Sequence, residues 1–421
     1  MNVLLLSWEY PPVMVGGLGR HVYALSKALA AAGHTVTVVT RHAPGAPWDE
    51  HREGVRVVRV PEDPPLVPLT NSNLLTWAVS FNHTLTRVAL RVAAQTPVDV
   101  VHAHDWLVAH SAITLRAQLG LPLVTTIHAT EAGRHQGWLP KDLNKSVHSV
   151  ESWLAGESDR VVVCSHYMRW EVNHLFGVPP DRIDVIPNGV EPQLWQVDQH
   201  AVDSARLRYS GAGPLLGFAG RLVYEKGVQD LITALPELRA LHPGLRLVVA
   251  GDGPHRPELQ EQVGRLNLHR VVSFAGFLGS GLAPVMAAAD TMVVPSLYEP
   301  FGMIALEAAA AGTPVAAAST GGLKEFVEPG RTGMTFIPGD SAALARMVSR
   351  LLSDTEGARR MARTANRVVI DRYSWDAIAA RTARLYGQVA GSTAAVTGPV
   401  SGPGRPKIVV PDGNLLQRQV A

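Results

Sequence analysis

The sequence predicts an α/β protein of two doubly wound, Rossmann-like domains facing each other across a cleft. Three observations carry this expectation. The chain has 421 residues, more than one ordinary hydrophobic core accommodates and enough for two domains of roughly 190 residues each. Short runs rich in Val, Leu and Ile alternate with helical patterns along most of its length. The runs are continuously apolar, as in parallel strands covered by helices on both faces.

In the first half the runs fall at 3–6, 36–39, 98–102, 123–127 and 161–164. Between the first two, Val22, Leu25, Leu29 and Ala32 make one apolar helical stripe, and Gly33 suits its C-terminal end. In the second half the runs fall at 215–219, 245–250, 271–275, 292–294 and 315–317. The stretch between 185–192 and 213–221 is polar, has no strand signal and holds one short helical candidate, so the boundary belongs there. Domains over 1–195 and 213–372 follow. A last helix over 373–389 can cross back to the N-terminal domain. The tail, 390–421, is rich in Gly, Pro, Ser and Thr and is expected to be disordered.

Composition narrows the function classes. Apolar residues make up 46% and charged residues 18%, which describes a soluble globular chain. A formal charge of +2, with no Lys/Arg run, gives no case for a nucleic-acid partner. No stretch approaches the ~20 apolar residues of a membrane span. The opening "MNVLLL" has no basic segment and ends at Ser7-Trp8-Glu9, so it reads as a first strand, not a signal peptide. One cysteine, Cys164, builds no disulfide framework, which predicts a reducing, cytoplasmic setting.

In open parallel sheets ligands sit at the carboxyl ends of strands, so those ends hold the candidate site residues. "VMVGGLGRHV" (13–22) leads from the first strand into the first helix. Its Gly16, Gly17 and Gly19 let the backbone approach a phosphate or sugar, with helix N–H groups available to an anion. It is neither a dinucleotide fingerprint, since Val22 holds the sixth position, nor a P-loop. An empty tight turn reads equally well from these glycines alone. "VVHAHDWLVAH" (100–110) ends a strand with His102, His104 and Asp105. Alternate strand residues share a face, so His102 and His104 together suggest a metal, with His128 the one obvious third ligand. The same residues also suit any polar cleft wall.

"TTIHATEAGRHQGW" (125–138) puts His128 at another strand end, with Glu131 and Arg134 in the loop beyond it. "GFAGRLVYEKGV" (217–228) places Arg221 and Lys226 in a strand-to-helix loop, where two cations suit a diphosphate; local pairing with Glu225 is the plainer alternative. In "PSLYEPFGMIALEAAAAGTP" (295–314), Phe301 and Gly302 are expected to begin a helix that carries Glu307 within its first two turns. A carboxylate accepts two hydroxyl donors at once, which suits Glu299 and Glu307 to sugars or riboses. Helix-dipole stabilisation explains Glu299 as well, but Glu307 inside an apolar run is costly without a partner.

Taken together, the glycine loop, "HAHDW", His128, the Arg221/Lys226 pair and the Glu-x7-Glu spacing resemble the retaining glycosyltransferases of family 4 and the neighbouring glycogen synthases over roughly 1–390. The resemblance implies the GT-B fold. "SWEYPPVMVGGLGRHV", "HAHDWLVAH", "TIHATEAGRHQGW" and "YEKGV" are most similar to the actinobacterial α-(1→4)-glucosyltransferases that elongate methylglucose lipopolysaccharide. It further implies transfer of glucose from ADP-glucose or UDP-glucose to an α-1,4-glucan or methylglucose lipopolysaccharide acceptor, with retention and with neither cofactor nor metal. Gly16 and Gly17 would approach the donor diphosphate, and Arg221 and Lys226 would neutralise it as it leaves. Glu299, with the backbone of Phe301 and Gly302, would hold the glucose, and Glu307 the ribose. His128 would line the reacting face through its backbone carbonyl, with Glu9, Asp105 and Arg134 toward the sugar or acceptor.

One position departs from the pattern. Glycogen synthases carry Lys-x-Gly-Gly-Leu, whereas this sequence has Met14 at the lysine position, which leaves more of the diphosphate charge to Arg221 and Lys226. Other readings stand beside this one. They are a different family 4 enzyme (a mannosyltransferase, or a maltose-1-phosphate or sucrose-phosphate synthase), a metal-dependent hydrolase using His102 and His104, and a non-catalytic glycan- or nucleotide-binding protein.

Overall fold

The computed structural model describes residues 1–14, 16–61, 69–70 and 72–394. Residues 395–421, most of the tail expected to be disordered, lie outside the described residues. The chain forms two compact units, Met1–Gly189 together with the segment from Trp375, and Val190–Ser374.

The first unit runs β1 (Asn2–Leu6), α1 (Gly17–Ala31), β2 (Thr35–Arg41), β3 (Asp49–Arg52), β4 (Val55–Val60), α2 (Leu74–Gln95), β5 (Val100–His104), α3 (Ala109–Leu119), β6 (Leu123–Ile127), α4 (Glu131–Arg134), α5 (Asp142–Glu157), β7 (Arg160–Val163), α6 (His166–Phe176) and β8 (Ile183–Val185). The second has α7 (Gln199–Tyr209), β9 (Leu215–Ala219), α8 (Val228–Leu241), β10 (Arg246–Ala250), α9 (Arg256–Arg265), β11 (Val272–Gly276), α10 (Leu282–Ala288), β12 (Thr291–Val294), α11 (Met303–Ala310), β13 (Val315–Ala318), α12 (Leu323–Phe326), β14 (Met334–Phe336), α13 (Ser341–Ser353) and α14 (Thr355–Arg372). The chain then returns to the first unit as α15 (Trp375–Ala394).

Strand order in the first unit is β3-β4-β2-β1-β5-β6-β7-β8, parallel except for the β3–β4 hairpin, and in the second β11-β10-β9-β12-β13-β14, all parallel. The order reverses at β1/β5 in one unit and at β9/β12 in the other. In doubly wound sheets that reversal leaves a crevice beyond the carboxyl ends of the two central strands.

Alternation along β1 divides its side chains between the faces of the sheet. Val3 and Leu5 pack with Val22, Leu25 and Leu29 of α1 and with Ile378, Leu385 and Tyr386 of α15. Leu4 and Leu6 pack on the other face with Trp77, Phe81 and Leu85 of α2 and Leu115 of α3. In the second unit Leu216 and Phe218 meet α8 and α13, while Leu215 meets Tyr209 of α7 and Val285 of α10.

Several expected elements shift. The strand expected at 98–102 is β5, two residues later, so His104 ends the strand instead of following it. The second unit starts at Val190 instead of 213, because the turn at Pro192–Trp195 packs on α10 and α11, and α7 packs on α10. The β3–β4 hairpin escaped the apolar-run criterion, since β3 is "DEHR" and Arg56 and Arg59 interrupt β4. Arg59 is nevertheless buried, paired with Glu50 at 2.7 Å and donating to the carbonyls of Pro47 and Pro11. The last helix continues beyond 389 to Ala394.

Candidate active site

In the second unit the loops after β9, β12 and β13 interlock. Leu297 N–H donates to the Glu225 carbonyl at 2.8 Å, and Gly322 N–H donates to the Glu299 carbonyl at 2.9 Å. Thr320 Oγ1 donates to the Leu297 carbonyl at 3.1 Å. These contacts hold the Lys226 ammonium 2.7 Å from Glu299 Oε2, which also accepts from Ser296 Oγ at 3.1 Å. Lys226 and Glu299, distant in sequence, therefore meet at the β9/β12 switch point.

Two glycines make this packing possible. Gly227 has φ +70°, and a Cβ there would lie 1.9 Å from the Pro295 carbonyl oxygen. Gly302 has φ +102°, and a Cβ there would lie 2.4 Å from Leu323 Cδ2. Gly227→Ala combines left-handed strain with a backbone clash, so it is expected to destabilise the second unit by more than about 1 kcal/mol. A lowered urea midpoint would register that loss.

Helix α11 starts at Met303, with Gly302 as its N-cap and no side chain capping it. Phe301 thus stands before the helix, not in its first turn as expected, and its ring packs 6.0 Å from that of Tyr373. The backbone turns at Gly302 because the left-handed conformation there breaks helical geometry. Glu307 lies on α11 and is only 2% exposed. Arg221 lies on the β9 loop with its side chain 56% exposed and 3.9 Å from Glu225, a loose surface pair.

In the first unit, Glu9 follows β1, is buried, and accepts the Gly16 N–H on Oε2 at 3.0 Å. Its carboxylate thereby fixes the glycine loop. A Cβ on Gly16 or Gly17 would meet no heavy atom within 4 Å, so internal packing does not require those glycines. Met14, at the lysine position of the glycogen-synthase pattern, is partly exposed.

Asp105, after β5, has φ 58° and ψ 175°, a conformation that side chains rarely adopt. Its Oδ1 accepts the His128 N–H at 2.8 Å, which positions the backbone after β6. Burial pushes the Asp105 carboxyl up to about 6, opposed by Arg134 and by that N–H. Burial, helped by Arg134, lowers His128 to about 3, so its ring is neutral. The following turn is pinned from below. Thr130 caps α4 by accepting the Gly133 N–H and donates to Glu171 Oε1 at 2.6 Å. Glu151, whose carboxyl burial raises well above the usual range, accepts the Glu131 N–H on both oxygens at 3.0 Å. Arg134 donates to Glu131 at 3.4 Å.

The histidines differ from expectation. His102 has both ring nitrogens engaged, Nδ1 with the Tyr386 hydroxyl at 2.6 Å and Nε2 with Thr126 Oγ1 at 2.7 Å. The suggested His102/His104 metal pair is therefore overturned: His102 is a buried connector between the sheet and α15. His21, on α1, instead joins His104 and His128 in a group whose ring nitrogens lie within 4.8 Å of one another. Burial holds His21, His102 and His104 well below the ordinary imidazole range. His21 escaped notice, although it stands four residues before Leu25 on the buried face of α1. Glu151, Glu171, Asn188 and Tyr386 also escaped it, because nothing local distinguishes a buried network partner.

Among the described residues no helix is long and apolar enough to cross a membrane. Comparison with known proteins places these two halves in context. Residues 15–194 match the family model Glycosyltransferase Family 4, and residues 203–368 match Glycosyl transferases group 1. The chain is 44% identical to glycogen synthase of Mycobacterium tuberculosis, covering 92% of this chain and 94% of that protein. It is 30% identical to α-maltose-1-phosphate synthase of Mycolicibacterium smegmatis, covering 92% and 100%. Among solved structures, sucrose-phosphate synthase from Thermosynechococcus elongatus superposes with a TM-score of 0.80 at 28% identity, covering 93% of this chain and 99% of that one.

Proposed function

Since the chain belongs to the family 4 glycosyltransferases, with their GT-B fold, we propose that it transfers glucose with retention from ADP-glucose or UDP-glucose. The acceptor we assign is an α-1,4-glucan or the methylglucose lipopolysaccharide chain. The observation that carries the donor half is the 2.7 Å Lys226–Glu299 pair at a topological switch point. A cation beside a carboxylate suits a substrate that joins a diphosphate to a polyol. In this reading Lys226 and Arg221 take the charge that develops on the leaving diphosphate. Glu299 and the backbone at Phe301 and Gly302 hold the glucose hydroxyls, and Glu307 holds the ribose.

Gly16 and Gly17 give the diphosphate room to approach, held in place by Glu9. The His128 backbone carbonyl faces the anomeric carbon, steadied by Asp105, with Arg134 toward the acceptor. The acceptor hydroxyl loses its proton to the leaving phosphate as the glycosidic bond forms on the face the nucleotide vacates. Identity of 44% to a glycogen synthase against 30% to a maltose-1-phosphate synthase supports glucan elongation over transfer to glucose 1-phosphate. The metal-dependent hydrolase reading falls with His102 and with the family.

The test offers the protein several nucleotide sugars with either a short maltooligosaccharide or glucose 1-phosphate. Elongated oligosaccharide with ADP- or UDP-glucose is the expected result. Transfer of mannose, or product only with glucose 1-phosphate, would overturn the reading.

A further inference from the structure

We propose that a cavity on the second unit, away from the donor residues, binds a small phosphate ester of the sugar-phosphate class. The cavity measures about 310 Å³, within the roughly 300–1,000 Å³ of small-molecule sites. Three arginines from three separate elements line it: Arg331 from the turn before β14, Arg350 from the last turn of α13 and Arg360 from α14. Lys226 and Glu299 follow the carboxyl ends of β9 and β12. Arg331 and Met334 instead mark the amino end of β14, the opposite edge of the same parallel sheet.

Charge selects the ligand. Helices α13 and α14 carry seven arginines and two acids, in a chain whose formal charge is only +2. Around the cavity three guanidinium groups stand against one carboxylate, Asp354, which is engaged in capping α14 through the Gly357 N–H at 2.8 Å. Among the described residues the Arg350 guanidinium has no ion-pair or hydrogen-bond partner. The negative end of α13 accounts for a cation at Arg350, but not for Arg331 and Arg360 bordering the same cavity. Arg331 pairs with Glu328 at 2.6 Å and Arg360 with Glu356 at 3.4 Å, both pairs well exposed. Exposed pairs are weak, so a dianion can draw both guanidinium groups away from them. A phosphate monoester carries nearly two charges on three acceptor oxygens, and arginine forks match that geometry. The turn that bears Arg331 is braced: Thr332 Oγ1 donates to the Phe326 carbonyl at 2.6 Å and accepts the Glu328 N–H at 2.8 Å. Met334, Leu351 and Met361 add an apolar wall, which the carbon skeleton of an ester covers and bare phosphate leaves exposed.

The site stands whether or not the transferase reading holds, because none of its residues serves the reaction. Titration calorimetry of the full chain tests it, with fructose 6-phosphate, inorganic phosphate and fructose as probes. Fructose 6-phosphate is expected to bind about tenfold or more tightly than inorganic phosphate, and fructose to give no binding heat. Arg350→Gln, at an exposed position, should weaken the ester by about tenfold or more, the loss of one charge-assisted hydrogen bond. Lys226→Ala, which removes a donor-site cation, should leave that binding unchanged. In the wild type, fructose 6-phosphate should slow hydrogen exchange at 328–334 and in the first turns of α14, a readout that does not depend on the variants folding. No binding, equal affinity for phosphate and its ester, binding lost in Lys226→Ala but kept in Arg350→Gln, or no slowing at either segment would overturn the proposal.

Discussion

Lys226→Ala is expected to lower kcat for glucosyl transfer by about a hundred- to a thousand-fold, the range for removing one pre-oriented charge-stabilising donor from a reacting centre. The ammonium already sits 2.7 Å from Glu299 with both side chains partly shielded, so it needs little reorganisation to meet negative charge developing on a diphosphate. The loss should fall on kcat more than on KM, because charge builds on the leaving oxygen mainly in the transition state. The fold should survive: a partly exposed ion pair contributes about 1 kcal/mol or less to stability. Lys226→Arg keeps the charge on a planar group with different reach, so partial recovery is expected. A Lys226→Ala protein with a near-normal kcat and an intact fold would remove this residue from the donor site.

The largest stability effect is expected at Tyr386. Its ring is fully buried between α15 and the sheet, and its hydroxyl holds His102 Nδ1 at 2.6 Å. Truncation to alanine should cost about 3–5 kcal/mol, as for other large aromatic residues in cores, with the stranded imidazole nitrogen adding to it. Tyr386→Phe keeps the ring and removes only the hydroxyl, which should cost about 1–3 kcal/mol. The pair of variants separates packing from hydrogen bonding. Urea unfolding of the first unit measures both, and equal midpoints for Phe and Ala would show that the ring contributes little.

These expectations trace what the sequence made legible. Continuous apolar runs placed ten strands to within a residue or two, because parallel strands bury both faces and keep few polar residues. They failed at β4, where Arg56 and Arg59 interrupt the run, and at β8 and β14, which are three residues long. His128 stood out because a titratable group right after an apolar run is conspicuous, while Lys226 and Glu299 stood out as charges in the loops that follow β9 and β12. Glu9 was visible as a charge soon after β1, but only the folded chain shows its carboxylate on the Gly16 N–H.

His102 and His104 illustrate the limit of strand alternation. The two rings do lie close, 4.3 Å between centroids, yet contacts from Tyr386 and Thr126 give them different roles. Those partners come from 284 and 24 residues away, beyond any local pattern. His21 was hidden in a helix read for its apolar stripe.

Retaining α-glucosyl transfer is tested most directly by proton NMR of the reaction of ADP- or UDP-glucose with a short maltooligosaccharide, followed from the first turnovers. The reading predicts that the first new anomeric signal belongs to an α-1,4-linked glucose, and that Glu299→Gln suppresses it. A first product with a β linkage, or nucleotide-sugar consumption that never yields a glycosidic signal, would contradict it.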